Sequence, residues 1–159
     1  MDVPVTVKCR LGWDKGSINV LDFTRRMEDS GAAMVAVHGR TRSMLYSGTA
    51  DWDAIHKVKE QLTIPVIANG DITGGEAAVR CLKRTGADGV MIGRSVFGDP
   101  WIFQEVKFAS FVMGLKANLF TSTPMPFIIS HLFCLTNLRE INSFLSSSFK
   151  KITFRLILN

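Results

Sequence analysis

Apolar runs and helix-like stretches alternate along the first two thirds of the chain. Four short runs, rich in β-branched and other apolar residues, predict strands at residues 4–11, 34–38, 65–68 and 89–93. Each run is followed by a loop that contains glycine or other turn-forming residues and then by a stretch with helical spacing. This alternation predicts βαβ units that share one parallel sheet.

Capping residues mark where the predicted helices begin and end. Ser17 is suited to cap the first helix, and Asp51 opens the second with acidic residues near the positive end of the helix dipole. The third helix is predicted to begin at Gly75 and to be stopped by Gly86, and a fourth follows Pro100.

The predicted sheet fits two architectures of the α/β class, a doubly wound sheet or part of a (β/α)8 TIM barrel. No strand is followed by a GxGxxG loop, which lowers the dinucleotide-binding interpretation. Four units make half of a barrel. Both architectures stay open on this pattern, and a partial (β/α)8 barrel over residues 1–107 is the one we favour.

The pattern changes in residues 108–159, which we predict to be a divergent C-terminal extension. This segment holds eight of the eleven phenylalanines but a single glycine. Its most apolar stretch, residues 126–138, is too short to span a membrane, so we expect a packed helix there instead of an anchor. Two explanations stay open, a helical extension or a sequence that was never selected to pack here.

Composition and charge exclude several classes of protein. A hydrophobic content of 47% and a charged content of 21% exclude global disorder, and we see no secretory leader. Residues 1–107 carry 14 Lys/Arg against 13 Asp/Glu, whereas residues 108–159 carry 5 against 1, so the basicity belongs to the tail. It is therefore no argument for nucleic-acid binding by the whole chain.

The cysteines predict no metal site and no disulfide framework. Cys9, Cys81 and Cys134 are widely spaced and odd in number, and no CxxC or CxxxH pattern is present. We expect free thiols in a reducing compartment, the cytoplasm.

Polar and basic residues lie at or near the ends of all four predicted strands. In parallel α/β folds the carboxyl ends of the strands share one edge, so these residues are expected to face a common site. They are Lys8 and Arg10, His38-Gly39-Arg40, Asn69-Gly70-Asp71, and Gly93-Arg94. Such groups bind anions or form hydrogen bonds.

The last two of these turns are suited to a phosphate. Gly70 and Gly93 allow the backbone to approach a ligand closely, and Arg94 supplies a fixed cation. The predicted helix start at Gly74-Gly75 would add the positive end of a dipole.

Each candidate also has a purely structural interpretation. Lys8 could mark a bulge or a sheet edge, and His38 could be a hydrogen-bonded core residue. Asp71 is equally suited to capping the helix that follows. Arg94 could form a surface ion pair with Asp99. For Lys8 and His38 we favour a ligand-facing role.

Three further residues are interpreted as structural. Tyr46 and Trp52 are expected to pack their loop against the fold. Cys9 alternates with Lys8, so it should face the opposite side of the strand.

Five motifs together resemble the tRNA-dihydrouridine synthases, flavoenzymes with a (β/α)8 barrel and a helical C-terminal domain. The motifs are PVTVKCRLGW, VAVHGRTR, YSGTADW, IPVIANGDI and GADGVMIGRSVFGDPWIF. The resemblance covers about residues 3–104 and corresponds to strands five to eight of the barrel.

The resemblance implies a cofactor and a reaction. Lys8 would contact the ring of FMN, His38 would support the cofactor, and the phosphate would be held by the residues after the last two strands, namely Asn69, Gly70, Asp71, Gly93 and Arg94. NADPH would reduce FMN, and a hydride would pass to a uracil ring in tRNA. A cysteine general acid completes the family mechanism.

Departures from the family pattern limit this expectation. The family's catalytic cysteine lies in an Asn-x-Gly-Cys loop, and no such motif occurs in this sequence. We therefore expect a truncated chain that lacks the general acid and whose open barrel edges favour self-association. Two alternatives stay open, a catalytically silent flavin- or phosphate-binding chain, or another FMN barrel of the dihydroorotate dehydrogenase or old yellow enzyme type.

Overall fold

The computed structural model describes residues 3–114 and, for the backbone alone, residues 118–121. The predicted parallel sheet is present, with five strands in sequence order. The strands are β1 (Thr6–Arg10), β2 (Met34–His38), β3 (Val66–Asn69), β4 (Gly89–Ile92) and β5 (Asn118–Thr121). The helices are α1 (Val20–Asp29), α2 (Trp52–Gln61), α3 (Gly75–Thr85) and α4 (Ile102–Val112), with a 3-10 turn at Arg94–Val96.

The two faces of the sheet are covered differently. One face packs against the helices and buries Val35, Val37 and Val90 completely, together with Ile55 and Val58 of α2. Burying side chains of this size stabilises the fold by about 1.5–3 kcal/mol each. This layer is the main core.

The other face carries a small apolar cluster formed by Ala36, Ile67 and Met91, with Met34 beside it. The strand order without a reversal, together with a main core on one face only, is typical of a barrel segment. A doubly wound sheet would carry helices on both faces.

Two of the predicted helix boundaries are confirmed by their caps. The side chain of Asp51 accepts a hydrogen bond of 2.9 Å from the amide of Ala54, which caps α2. Gly86 ends α3 in the left-handed conformation with φ +67°, which glycine adopts without strain.

The predicted cap of α1 is wrong. The N-cap residue is Asn19, which makes no side-chain capping bond. Ser17 instead donates its hydroxyl to Oδ1 of Asp14 at 2.8 Å inside the preceding turn. The helix consequently begins two residues later than a Ser17 cap implies.

The described part of the C-terminal extension contains the end of one helix and a short strand. α4 continues through the predicted boundary at residue 107, and β5 pairs in parallel with β4. The prediction for residues 115–117 and 122–159 lies outside the described residues. In the part of the chain that the structure describes, no helix is both long and apolar enough to cross a membrane.

Candidate functional site

The strand register brings the predicted polar residues to one face at one end of the sheet. Arg10 pairs with His38, which pairs with Asn69 in the next strand. Lys8 lies two residues before Arg10 in β1, level with Ala36. Because side chains alternate along a strand, Lys8, Arg10, His38 and Asn69 all belong to the face that the helices leave uncovered.

His38 is buried among cations. Its pKa is lowered from 6.5 to about 3, first by burial and then by the nearby charges of Arg10, Lys8 and Arg40, with Asp71 acting in the opposite direction. The imidazole is therefore neutral at physiological pH and can serve as a hydrogen-bond donor and acceptor.

Lys8 keeps a solvent-exposed side chain, yet the surrounding protein still removes water from its ammonium group. Its pKa is lowered, first by this desolvation and second by Arg10, whereas Cys9 acts in the opposite direction. A partly dehydrated ammonium facing an open surface is suited to meeting a ligand's negative charge.

The β2–α2 loop, residues 39–51, is held beside this face by its neighbours. Arg10 donates through Nη1 to the carbonyl oxygens of Thr41 and Leu45, at 2.8 and 3.1 Å. The amides of Arg42 and Ser43 donate to the backbone of the loop that follows β1. These bonds attach the loop to β1 and to the segment that follows β1.

Arg40 and Asp71 form the second attachment of the β2–α2 loop. Arg40 is 2% exposed, and its Nη2 donates to both carboxylate oxygens of Asp71, at 2.8 and 3.0 Å. Asp71 also accepts from the amide of Ala50. Burial raises the pKa of Asp71, but the bonds from Ala50 and Arg40 outweigh it, so the pKa is lowered overall.

The interpretation of Asp71 as the cap of α3 is wrong. The N-cap of α3 is Gly74, and no side chain caps through it. Asp71 has φ +58° and follows Gly70 with φ +119°. These two left-handed residues turn the carboxylate towards the β2–α2 loop instead.

The start of α3 is also not free to receive a ligand as the sequence suggested. Oε1 of Glu105, on α4, accepts a hydrogen bond of 2.9 Å from the amide of Gly75. A carboxylate already lies at the positive end of this helix. The positive end of the α3 dipole is therefore already compensated by a carboxylate from α4.

Arg94 lies at the first position of the 3-10 turn after Gly93. Its guanidinium stacks on the ring of Tyr46, 4.6 Å from the centroid, and contributes to the lowered pKa of Asp71. Asp99 accepts a hydrogen bond from the amide of Trp101, and no ion pair joins Asp99 to Arg94 among the described residues. Arg94 is thus placed at the edge of the β2–α2 loop.

The expectation of loop packing is confirmed for Trp52 but not for Tyr46. The indole of Trp52 donates to the carbonyl oxygen of Gly70 at 3.1 Å. Tyr46 is 57% exposed and serves as the surface on which Arg94 lies.

Asn69 and Gly70 are shaped by close neighbours. The side-chain amide nitrogen of Asn69 donates to the carbonyl oxygen of Met91 at 2.8 Å. The side-chain oxygen Oδ1 of Asn69 takes no part in that bond. A Cβ added at Gly70 would lie 2.7 Å from the Cβ of Ala50 and 3.1 Å from Cδ2 of His38. Glycine is required there both by conformation and by space.

The described cysteines are free thiols away from this face. Cys9 packs against the helix-side core, as predicted, and Cys81 is completely buried there. Burial raises the pKa of each to about 12. Cys134 lies outside the described residues, and no metal-ligating group of three or more side chains occurs within the described ones.

Arg10 and Arg40 were predicted to lie at the common site but not to belong to the FMN-binding residues. Their roles depend on partners in other elements, Thr41 and Leu45 for Arg10 and Asp71 for Arg40. The available signal was the repetition of basic residues in HGRTR, which exceeds what a turn requires.

This chain matches one family model and several curated proteins. The family model described as dihydrouridine synthase (Dus) matches residues 1–156. The "Probable tRNA-dihydrouridine synthase 1" of Synechocystis is 57% identical over 107 residues, which is 67% of this chain and 30% of that protein. The "tRNA-dihydrouridine synthase B" of Pseudomonas putida is 50% identical over 107 residues, 67% of this chain and 32% of that protein.

A third relative, the "Probable tRNA-dihydrouridine synthase" of Rhizobium leguminosarum, is 54% identical over 101 residues, 64% of this chain and 32% of that protein. The chain thus spans about a third of the length of the relatives it matches. On the strength of the family model and of these identities, the chain belongs to the dihydrouridine synthase family.

Proposed function

We propose that this chain provides the FMN-binding part of a tRNA-dihydrouridine synthase, an oxidoreductase that uses NADPH to reduce uridine in tRNA. The observation that carries the proposal is the row Arg10, His38 and Asn69, with Lys8 beside it, on the uncovered face of the sheet. Since the chain spans about a third of its relatives, the activity of the whole enzyme is part of the proposal.

The charges of the site fit a flavin mononucleotide. Lys8, Arg10, Arg40 and Arg94 bring positive charge to one end of the sheet, whereas the carboxylate of Asp71 is already bound by Arg40 and Ala50. A phosphate monoester needs such an excess of cations and hydrogen-bond donors. When bound, FMN would supply the hydride chemistry that side chains lack.

The residues divide into ring and phosphate roles. Lys8 would lie beside the flavin ring, where a cation stabilises negative charge. Arg94, with the backbone at Gly70 and Gly93, would hold the phosphate. Asn69 would accept a hydrogen bond from a ribityl hydroxyl through the amide oxygen that its bond to Met91 leaves available. In this arrangement Asp71 acts through Arg40.

The general acid of the reaction is proposed to lie outside the described thiols. Cys9 packs towards the helices and Cys81 is buried in the core, so neither thiol reaches the uncovered face. A buried thiol with a raised pKa is also a poor proton donor to a distant substrate. This chain alone is therefore proposed to bind FMN without reducing uridine.

The proposed setting follows from the same family. β1 to β4 would be strands five to eight of a TIM barrel, and the exposed edge of β1 would pair with further barrel strands or with a second copy. The proposed tRNA substrate and the free thiols support a cytoplasmic location as part of this proposal.

Flavin titration tests the proposal. Purified protein is titrated with FMN while the quenching of flavin fluorescence is followed, and the visible spectrum of the protein as isolated is recorded. We expect saturable binding that is lost in Lys8→Ala and retained in Lys57→Ala, a control on α2. A colourless protein that leaves FMN fluorescence unquenched would overturn the proposal.

A second assay separates binding from catalysis. The protein with FMN and NADPH is incubated with unmodified tRNA, and dihydrouridine is measured by mass spectrometry. We expect none, because the described cysteines face away from the site. Dihydrouridine formation would contradict this part of the proposal and would favour a general acid within the chain.

A further inference from the structure

We infer that Arg40 is a positioning residue which, clamped by Asp71, fixes the His38 ring with its proton on Nδ1 and holds the β2–α2 loop against the end of β3. The consequence for flavin binding rests on the proposed function, whereas the arrangement itself does not require a ligand.

The contacts of Arg40 use most of its guanidinium. Nε donates to the carbonyl oxygen of Ser47 at 2.9 Å, and Nη2 donates to that of Gly48 and to the carboxylate of Asp71. Nη1 faces Nε2 of His38 at 3.5 Å. One buried cation thus joins the loop, β3 and the ring.

The position of Nη1 selects one tautomer of His38. A guanidinium carries only donors, so a ring nitrogen that faces it is favoured as an acceptor and disfavoured as N–H. In a neutral imidazole the proton then resides on Nδ1. The low pKa of His38 supports the neutral form.

The other edge of the ring is the one left for a ligand. A Cβ at Gly70 would lie 3.1 Å from Cδ2 and 3.4 Å from Nε2, so Gly70 covers the same edge that Arg40 faces. Among residues 3–114 the ring makes its side-chain hydrogen-bond contact through Nε2 and none through Nδ1. Arg40 thereby presents Nδ1 as the donor of this histidine.

Asp71 is the anchor that keeps Arg40 in place. Its carboxylate meets Nη2 with both oxygens and also accepts from Ala50, which lies at the far end of the loop. A lysine could not reproduce the whole set of contacts, since its single nitrogen cannot meet Ser47, Asp71 and His38 at once. The arrangement therefore depends on arginine as such.

The first test reads the tautomer directly. ¹⁵N shifts and two-bond couplings of labelled histidines are recorded at pH 7, with His38 assigned through His38→Gln. We expect a protonated Nδ1 and a bare Nε2 in the parent protein, and a proton partly or fully moved to Nε2 in Arg40→Met. A parent ring protonated on Nε2, or an Arg40→Met ring identical to the parent ring, would overturn the inference.

The chain offers a matched control. Arg84 and Asp53 form a bidentate pair of 2.7 and 2.6 Å between α3 and α2, with both side chains exposed. Arg84→Met and Asp53→Asn should leave the His38 signals unchanged. A shift in these variants equal to that in Arg40→Met would assign the effect to general destabilisation and would contradict the inference.

Hydrogen exchange covers the case in which Arg40→Met does not fold. Asp71→Asn keeps the shape of the side chain but loses its charge, and we expect exchange of the loop amides, that of Ala50 above all, to accelerate about tenfold or more. Asp53→Asn should leave them unchanged. Equal protection of the loop amides from exchange in Asp71→Asn and in the parent would contradict the inference.

The consequence for the cofactor is measured separately. Asp71→Asn and Arg40→Lys should raise the dissociation constant of FMN at least tenfold, while Asp53→Asn changes it less than twofold. A parent protein that does not bind FMN refutes the proposed function, yet the tautomer and exchange results still decide the inference. Unchanged FMN affinity in both variants of a flavin-binding parent would contradict the inferred consequence for flavin binding and leave the tautomer to the first test.

Discussion

The carboxylate of Glu105 in α4 accepts a hydrogen bond of 2.9 Å from the amide of Gly75 at the first turn of α3. α4 packs closely against Gly75, because a Cβ at Gly75 would lie 2.9 Å from that of Ala109 and 3.0 Å from the carbonyl oxygen of Glu105. α4 thus caps α3 through an exposed side chain, so the fold depends on α4 for more than apolar packing.

This contact predicts a stability effect that is separate from binding. Glu105→Ala removes the cap and should lower the free energy of unfolding by about 0.5–2 kcal/mol, the range for a helix cap. Glu105→Gln keeps an acceptor and should lose less. Urea unfolding measures both, and Glu76→Ala, on the exposed side of α3, is the control. An effect of Glu105→Ala no larger than that of Glu76→Ala would show that the cap contributes nothing.

His38 predicts a pH dependence of stability. Its folded pKa of about 3 lies below the ordinary value of 6.5, so below pH 6.5 the unfolded chain binds a proton that the folded chain does not. The part of the unfolding free energy that depends on His38 is complete above pH 6.5. It is lost as the pH falls towards 3, with a slope of about 1.4 kcal/mol per pH unit.

The comparison that isolates this term is between the parent and His38→Gln. Unfolding free energies are measured from pH 7 to pH 4, and the parent should lose more stability on acidification than the variant. Parallel curves would show that His38 is not kept neutral by its surroundings.

Arg94 predicts a discrimination between two flavins. If Arg94 contacts the phosphate, Arg94→Ala should raise the dissociation constant of FMN by about 10- to 100-fold, since hydrogen bonds to charged groups contribute about 1.5–3 kcal/mol. Riboflavin, which has no phosphate, should bind the parent and the variant equally.

The control for this experiment is Arg80→Ala, which removes an exposed cation paired with Glu76 on α3. It should change neither affinity. Equal weakening of FMN and riboflavin by Arg94→Ala would place Arg94 away from the phosphate and would assign its role to stacking on Tyr46.

The thiols predict slow chemistry. With pKa values of about 12, Cys9 and Cys81 have roughly one thiolate in ten thousand molecules at pH 8, and the core shields them as well. Iodoacetamide should label neither residue in the native protein within the time that labels both in urea, as read by peptide mass spectrometry. Labelling of native Cys9 at the rate measured in urea would mean that β1 opens readily.

Local signals were sufficient for much of the fold. The run Met34–His38 became β2 without a change of bounds, because five consecutive residues suited to a strand are followed by glycine. Asp51 and Gly86 fixed the ends of two helices because each acts on residues within its own turn. Ser17 failed as a cap because Asp14, three residues earlier, takes its hydroxyl.

The candidate site was predictable in position but not in its internal contacts. The end of each strand could be read from the sequence, and Lys8, His38 and Asn69 do share one face. The partners Arg40 and Asp71 are 31 residues apart, and no local pattern joins them. Asp71 looked suited to capping because its nearest helix follows directly, whereas its partners come from an earlier loop.

The alternation along β1 has a consequence for comparing chains of this kind. Lys8 lies on the open side and Cys9 on the side packed by helices. Deleting a single residue from the strand would exchange them, which would drive an ammonium group into a dry layer and leave a thiol in its place. Gaps in an alignment therefore belong before Thr6 or after Arg10, and a length change inside the strand preserves its chemistry only in steps of two.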